Sequence, residues 1–173
     1  MANFGLHRRT RQCGELDLLF ERASEQQEAG NLLSAFRLFL AAAKAGDVGA
    51  QLVLGNFYSD GTGIRRNRKQ ALYWYKRAYR KGYGPAASNI GLMFREENNI
   101  KQALNWYERA ARLNETDANL DIARIFLERG DEARARGYLE QVCSAPAGAV
   151  TEASREKAQH LLKQRAVTFR KRS

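Results

Sequence analysis

The chain of 173 residues is 44% hydrophobic, and its 29 Lys and Arg against 19 Asp and Glu give a formal charge of +10. Apolar residues spread along the chain and only two Pro exclude a disordered linker and support one core or one short repeat array. The charge admits acidic proteins, phosphates or an anionic membrane surface as partners without choosing among them, and no apolar run is long enough for a transmembrane segment.

The chain opens with a basic N-terminal segment, 1–13, in which Arg8, Arg9 and Arg11 are not followed by the apolar stretch of a secretory leader. A cytoplasmic location is expected unless a secretion signal once preceded it. From residue 14 apolar side chains recur at helical spacing, beginning with Leu16, Leu19 and Phe20, and predict a helix over 14–29. Further helices are predicted at 32–45, 48–60, 68–81, 84–96, 100–112, 117–129 and 132–143, with a terminal helix at 150–166. The helical repeat domain therefore spans 14–166, and 167–173 is a basic C-terminal tail.

The even-numbered helices of this series are copies of one another. Their segments AFRLFLAA, ALYWYKRA, ALNWYERA and ARGYLEQV start at Ala35, Ala71, Ala103 and Ala135, at intervals of 36, 32 and 32 residues. Four residues before each alanine stands Asn31, Asn67, Asn99 or Asp131, residue types that accept a bond from the free N–H groups of a first helical turn. Asn67 with Gln70 and Asn99 with Gln102 also have capping-box spacing.

The large pairs Leu38 and Phe39, Trp74 and Tyr75, Trp106 and Tyr107, and Tyr138 and Leu139 follow in register and read as packing surfaces rather than as a platform for nucleobases. Ala42, Ala78, Ala110 and Val142 close each copy. The alternate helices carry a second register, in which Gly55, Gly91 and Ala123 share a small position and Tyr58, Phe94 and Phe126 an aromatic one. Ala23 falls in line with them.

Residues 49–82 resemble the Sel-one-like repeat family, a relative of tetratricopeptide repeats, through Ala50, Leu54, Gly55, Tyr58, the Gly61 and Gly63 turn, Ala71, Trp74, Lys76, Ala78 and Gly82. Residues 85–112 resemble a second copy that lacks the GxG turn, which accounts for the shorter interval. These two stretches are the clearest repeats; 14–46 and 117–143 look like generic tetratricopeptide helices. The resemblance implies an all-α fold, a right-handed α-solenoid of antiparallel helix pairs with a C-terminal capping helix, whose concave face recognises another protein. In such repeats the core is shared and the exposed residues vary.

The first helix of each pair lines the concave face in the resembled architecture. Its register gives Gln27, Asn56, Ser59, Ser88, Leu92, Arg95, Arg124 and Leu127 as candidate protein-binding positions. Arg95 and Arg124 are expected about one turn apart on their helices, a diagonal charge pair for an acidic peptide. Arg65, Arg66, Arg68 and Lys69 gather at the GTG connector as further candidate contacts for an acidic partner, since Arg binds carboxylates bidentately. The GTG turn itself lacks the form of a nucleotide loop and reads as a helix connector.

At the far end Ala158, Leu161, Leu162, Ala166 and Phe169 are expected to cover the last repeat. His7 and His160 are isolated, Cys13 and Cys143 lack CxxC spacing and read as free thiols, with one long-range disulfide left open, and the NET triplet at 114–116 reads as a helix entry. No metal site, cofactor or catalytic residue is expected. The reading is a noncatalytic adaptor that binds a peptide or protein; the alternative is a basic helical protein associated with nucleic acid.

Overall fold

The computed structural model describes the backbone of residues 3–170 and the side chains of residues 14–164. Its helices are α1 (Asn3–Glu28), α2 (Leu32–Ala45), α3 (Val48–Asp60), α4 (Arg68–Arg80), α5 (Gly84–Glu96), α6 (Ile100–Arg112), α7 (Ala118–Glu128), α8 (Glu132–Ser144) and α9 (Glu152–Arg170). Among the described residues there is no strand. The chain divides into two compact units, Met1–Tyr83 with α1 to α4 and Gly84–Ser173 with α5 to α9. Within the units α1 pairs with α2, α3 with α4, α5 with α6 and α7 with α8, as antiparallel neighbours.

The predicted interior helices fall where the cap and apolar registers place them. α1 starts well ahead of residue 14 and α9 runs past 166, because no Pro interrupts either flank. The side chains of the basic ends, and of His7, Cys13, Ala166 and Phe169, lie outside the described residues.

Three of the four expected caps form. Asn67 Oδ1 accepts from Gln70 N–H at 3.1 Å, Asn99 Oδ1 from Gln102 N–H at 3.3 Å and Asp131 Oδ1 from Arg134 N–H at 3.0 Å. Asn31 departs from the pattern. Its side chain caps nothing, and its Nδ2 donates to Gln26 Oε1 at 3.1 Å, so the amide is oriented by α1 and not by the first turn of α2. Asp47, not foreseen, caps α3 by accepting from Ala50 N–H.

The repeated large residues are core. In the first unit Ala35, Phe39, Ala42, Leu54, Phe57 and Trp74 form one buried cluster, with Phe20 edge-on to Phe39 at 5.3 Å and Phe36 edge-on to Tyr58 at 5.5 Å. In the second unit Trp106 and Tyr107 are buried, and Leu120, Ala123, Leu139, Val142 and Ala158 make a further cluster. Each large apolar side chain so buried contributes roughly 2 kcal/mol from apolar area alone.

The small positions explain how the helices of a pair approach. A Cβ on Gly55 would fall inside the Tyr75 ring, and one on Gly91 would lie 2.9 Å from Tyr107 Cδ1. Where the third copy has Ala123, the facing aromatic has become Leu139. The GTG turn behaves as a connector: Gly63 has φ +66° and packs against Leu32, while Asn67 N–H closes the turn on Tyr58 O at 2.7 Å.

α9 covers the α8 side of the second unit through Ala158, Leu161 and Leu162, as the apolar spacing implies. Arg155 fastens it. Its guanidinium donates to Cys143 O at 2.6 Å and Ala145 O at 2.9 Å, satisfying carbonyls at the end of α8.

Candidate protein-binding site

In the second unit, α5, α6 and α7 place a set of charged groups around one phenol. Arg95 stands in the last turn of α5, where a cation complements the helix dipole. Its Nη2 donates to Glu128 Oε1 on α7. One helical turn earlier on α7, Arg124 Nη1 lies 3.6 Å from Asp121 Oδ1, an i,i+3 pair.

Tyr107 of α6 lies among them. Burial holds its phenol above the usual tyrosine range, the nearby Asp121 charge adds to this, and the Arg95 and Arg124 guanidinium groups oppose it. Its hydroxyl is buried without a hydrogen bond of good geometry, although Arg95 stands close enough to favour the phenolate. Burial likewise raises the Asp121 carboxyl, against the pull of Arg124 and then Arg95. The two arginines expected to act together therefore share two neighbours. Spacing alone did not show that each already has a carboxylate partner.

Leu92, 47% exposed, lies one turn before Arg95 on α5, and the half-buried Leu127 lies one turn after Arg124 on α7. Ser88, half-buried, completes this side of α5, with an Oγ that has no hydrogen-bond partner.

The first-unit candidates are placed differently. Gln27 is exposed on α1 and Ser59 is half-buried on α3. Asn56 is already engaged, its Oδ1 accepting from Tyr75 Oη at 2.8 Å. Arg65, Arg66 and Lys69 are exposed at the connector and Arg68 is half-buried at the start of α4.

Among the described residues no cluster of three His, Cys, Asp or Glu has the proximity to hold a metal ion. His160 is exposed with Nε2 2.8 Å from Gln164 Nε2, and burial raises the Cys143 thiol above its ordinary range, away from a nucleophile's. No helix among the described residues is long and apolar enough to cross a membrane.

Asp121 was within reach of sequence reasoning, since the DxxR spacing of Asp121 and Arg124 is an ordinary helical ion pair. Glu128 and Arg155 were not. Their partners lie on other helices or on an irregular carbonyl run, for which no periodic signal exists.

The Sel1 repeat profile matches residues 26–47, 48–83 and 85–115, together just over half of the chain. It takes in 26–47, which the sequence alone assigned to generic tetratricopeptide helices; Ala35, Phe39 and Ala42 are buried there as their counterparts are in the clearer copies. Among solved structures the chain is similar to a Sel1 repeat protein from Oxalobacter formigenes, with 34% identity, 62% of this chain and 46% of that one covered, and a TM-score of 0.53. It is also similar to c5321, a protective antigen present in uropathogenic Escherichia coli strains and displaying an SLR fold, with 27% identity, 82% and 33% coverage and a TM-score of 0.63. A likeness to MamA, at 16% identity, 73% and 75% coverage and a TM-score of 0.57, concerns the fold alone. The chain spans less than half the length of the first two. No curated protein sequence matches it.

Proposed function

The chain belongs to the Sel1 repeat family, and on that premise we propose that it is a noncatalytic adaptor or scaffold that binds a peptide or protein segment. Repeats of this kind are typical of protein-interaction scaffolds. The observation that carries the proposal here is the α5 and α7 surface of the second unit, where exposed Leu92 adjoins the Arg95, Asp121, Arg124 and Glu128 cluster. A partly apolar, partly charged surface on regular helices suits a peptide that offers both side chains and carboxylates.

The favoured partner is acidic. A ligand carboxylate exchanges with Glu128 for Arg95, an exposed ion pair whose loss costs little. The contact of Arg124 with Asp121 is long, 3.6 Å, and leaves guanidinium donors for a second ligand carboxylate. Leu92 and Leu127 then take the apolar part of the ligand, with the half-buried Ser88, whose Oγ is turned inward, beside them on α5. Gln27, Ser59 and the connector residues Arg65, Arg66, Arg68 and Lys69 are secondary contacts, and Asn56 is committed first to Tyr75. The basic end segments 1–13 and 167–173 flank this binding domain, and a cytoplasmic location accords with the free thiol of Cys143.

The test is binding of the intact protein to a peptide array graded in charge and hydrophobicity, read by fluorescence. Peptides with carboxylates beside an apolar residue are expected to bind and to be displaced by salt. No peptide binding, or preference for basic peptides, contradicts the reading.

A further inference from the structure

We propose that the outer face of α4 binds single-stranded nucleic acid, with Tyr73 as a base-stacking platform flanked by Lys69, Lys76 and Arg80. Ala71, Trp74, Tyr75 and Ala78 bury one side of this helix, while Lys69, Tyr73, Lys76 and Arg80 are exposed. Helical geometry puts those four within about 60° of one another, directly opposite the alanines, so they form one straight stripe. At the helical rise it is about 16 Å long, room for a few nucleotides.

Two further observations separate this stripe from an ordinary solvated face. From Gly61 through Arg95 the chain has no Asp or Glu, so no carboxylate of its own segment neutralises the cations. Tyr73 is also held in place although 49% of it is exposed. Its ring stands edge-on to Trp74 at 5.0 Å and 80°, its Oη accepts from Arg77 Nη1 at 3.2 Å, and the Arg77 guanidinium lies 5.9 Å from its centroid. An ordered, half-open ring loses little freedom when a base stacks on it.

The ring also selects among anions. The face of an aromatic ring is its negative pole and gives a carboxylate nothing, whereas a nucleobase stacks there while its phosphates meet the flanking cations. A bilayer would need apolar side chains to insert, and Tyr73 is the sole ring in the stripe. The matching positions of α6 are Lys101, Asn105, Glu108 and Arg112, which lack the aromatic and include a carboxylate. The scaffold therefore does not require the stripe.

Fluorescence anisotropy of a labelled oligothymidylate with the intact protein tests this. Binding is expected to fall with salt with a log–log slope of about −2, as three cation–phosphate contacts on a single strand predict. Tyr73→Ala is expected to weaken binding about ten-fold, as loss of one stacked base does, and Tyr73→Phe to retain it. Lys76→Glu with Arg80→Glu is expected to abolish binding without changing the helical circular-dichroism signal. Tyr73→Ala binding as the parent does overturns the proposal, as does tighter binding at equal ionic strength to poly-glutamate or to phosphatidylglycerol vesicles.

Discussion

The α3–α4 and α5–α6 pairs have the same buried face and different surroundings for the same phenol. Tyr75 and Tyr107 each press a ring on a helical glycine, Gly55 or Gly91. In the first pair the Tyr75 hydroxyl donates to Asn56. In the second the position of Asn56 is taken by Leu92, which is exposed, and Tyr107 instead faces Arg95, Asp121 and Arg124. Outside, α4 shows a basic stripe with a tyrosine and α6 a mixed, non-aromatic one. Packing is thus repeated and surface chemistry is not, so partner recognition belongs to the positions that break the repeat.

Removing the shared indoles should have the largest effect. Trp74→Ala and Trp106→Ala should each cost roughly 3–5 kcal/mol in urea unfolding, as large-to-small core changes do. A loss confined to one of them would deny that the two pairs share a packing scheme.

Next in size are the glycines. Gly55→Ala should destabilise by about 3 kcal/mol, and Gly91→Ala by less, about 1 kcal/mol, because its Cβ would overlap the facing ring less, at 2.9 Å against 2.1 Å. Combining Gly55→Ala with Tyr75→Leu reproduces the Ala123 and Leu139 arrangement and should recover much of the loss. Thermal melts of the three variants check the order.

The hydroxyl environments invite an exchange. Asn56→Leu should cost about 1 kcal/mol by removing the Tyr75–Asn56 hydrogen bond, whereas Leu92→Asn should be neutral or stabilising by offering Tyr107 a partner. Equal effects in both directions would mean that the two phenols do not differ.

Asp121 sharpens the comparison through pH. Its folded carboxyl titrates above its ordinary value because burial outweighs the arginines. The folded state therefore holds that proton more tightly, and its stabilisation is present at low pH and lost as pH rises from the ordinary carboxylate range through the raised value. Asp121→Asn should flatten that loss and leave stability at neutral pH unchanged or slightly higher. A variant that becomes much less stable at neutral pH, with the slope intact, would contradict this.

The helix caps also differ. Asn67→Ala should cost about 1 kcal/mol, and Asn31→Ala less, since Asn31 makes no cap bond.

What could be read from the chain follows from periodicity. The helix pairs, Trp74, Tyr75, Trp106 and Tyr107 as core, the Gly55 and Gly91 approach and the cover formed by α9 all repeat or keep a helical period, and each has its place in the structure. Arg95 and Arg124 were expected as a pair because they lie near one register, and in the structure both stand near Tyr107 and Asp121. Their carboxylates were less legible: Glu128 reaches Arg95 across helices, and the burial of Asp121 depends on packing that one helix does not encode. Asn31 shows the same limit in miniature, its cap position being readable and its contact with Gln26 not.

The most direct test of the central claim uses Arg95→Gln with Arg124→Gln, scored for fold and for peptide binding in the same preparation. The expected result is a helical signal and unfolding midpoint close to those of the parent, with binding to the acidic peptides selected on the array reduced at least about ten-fold, as loss of charge-assisted bonds implies. Unchanged affinity in the folded double variant would contradict it.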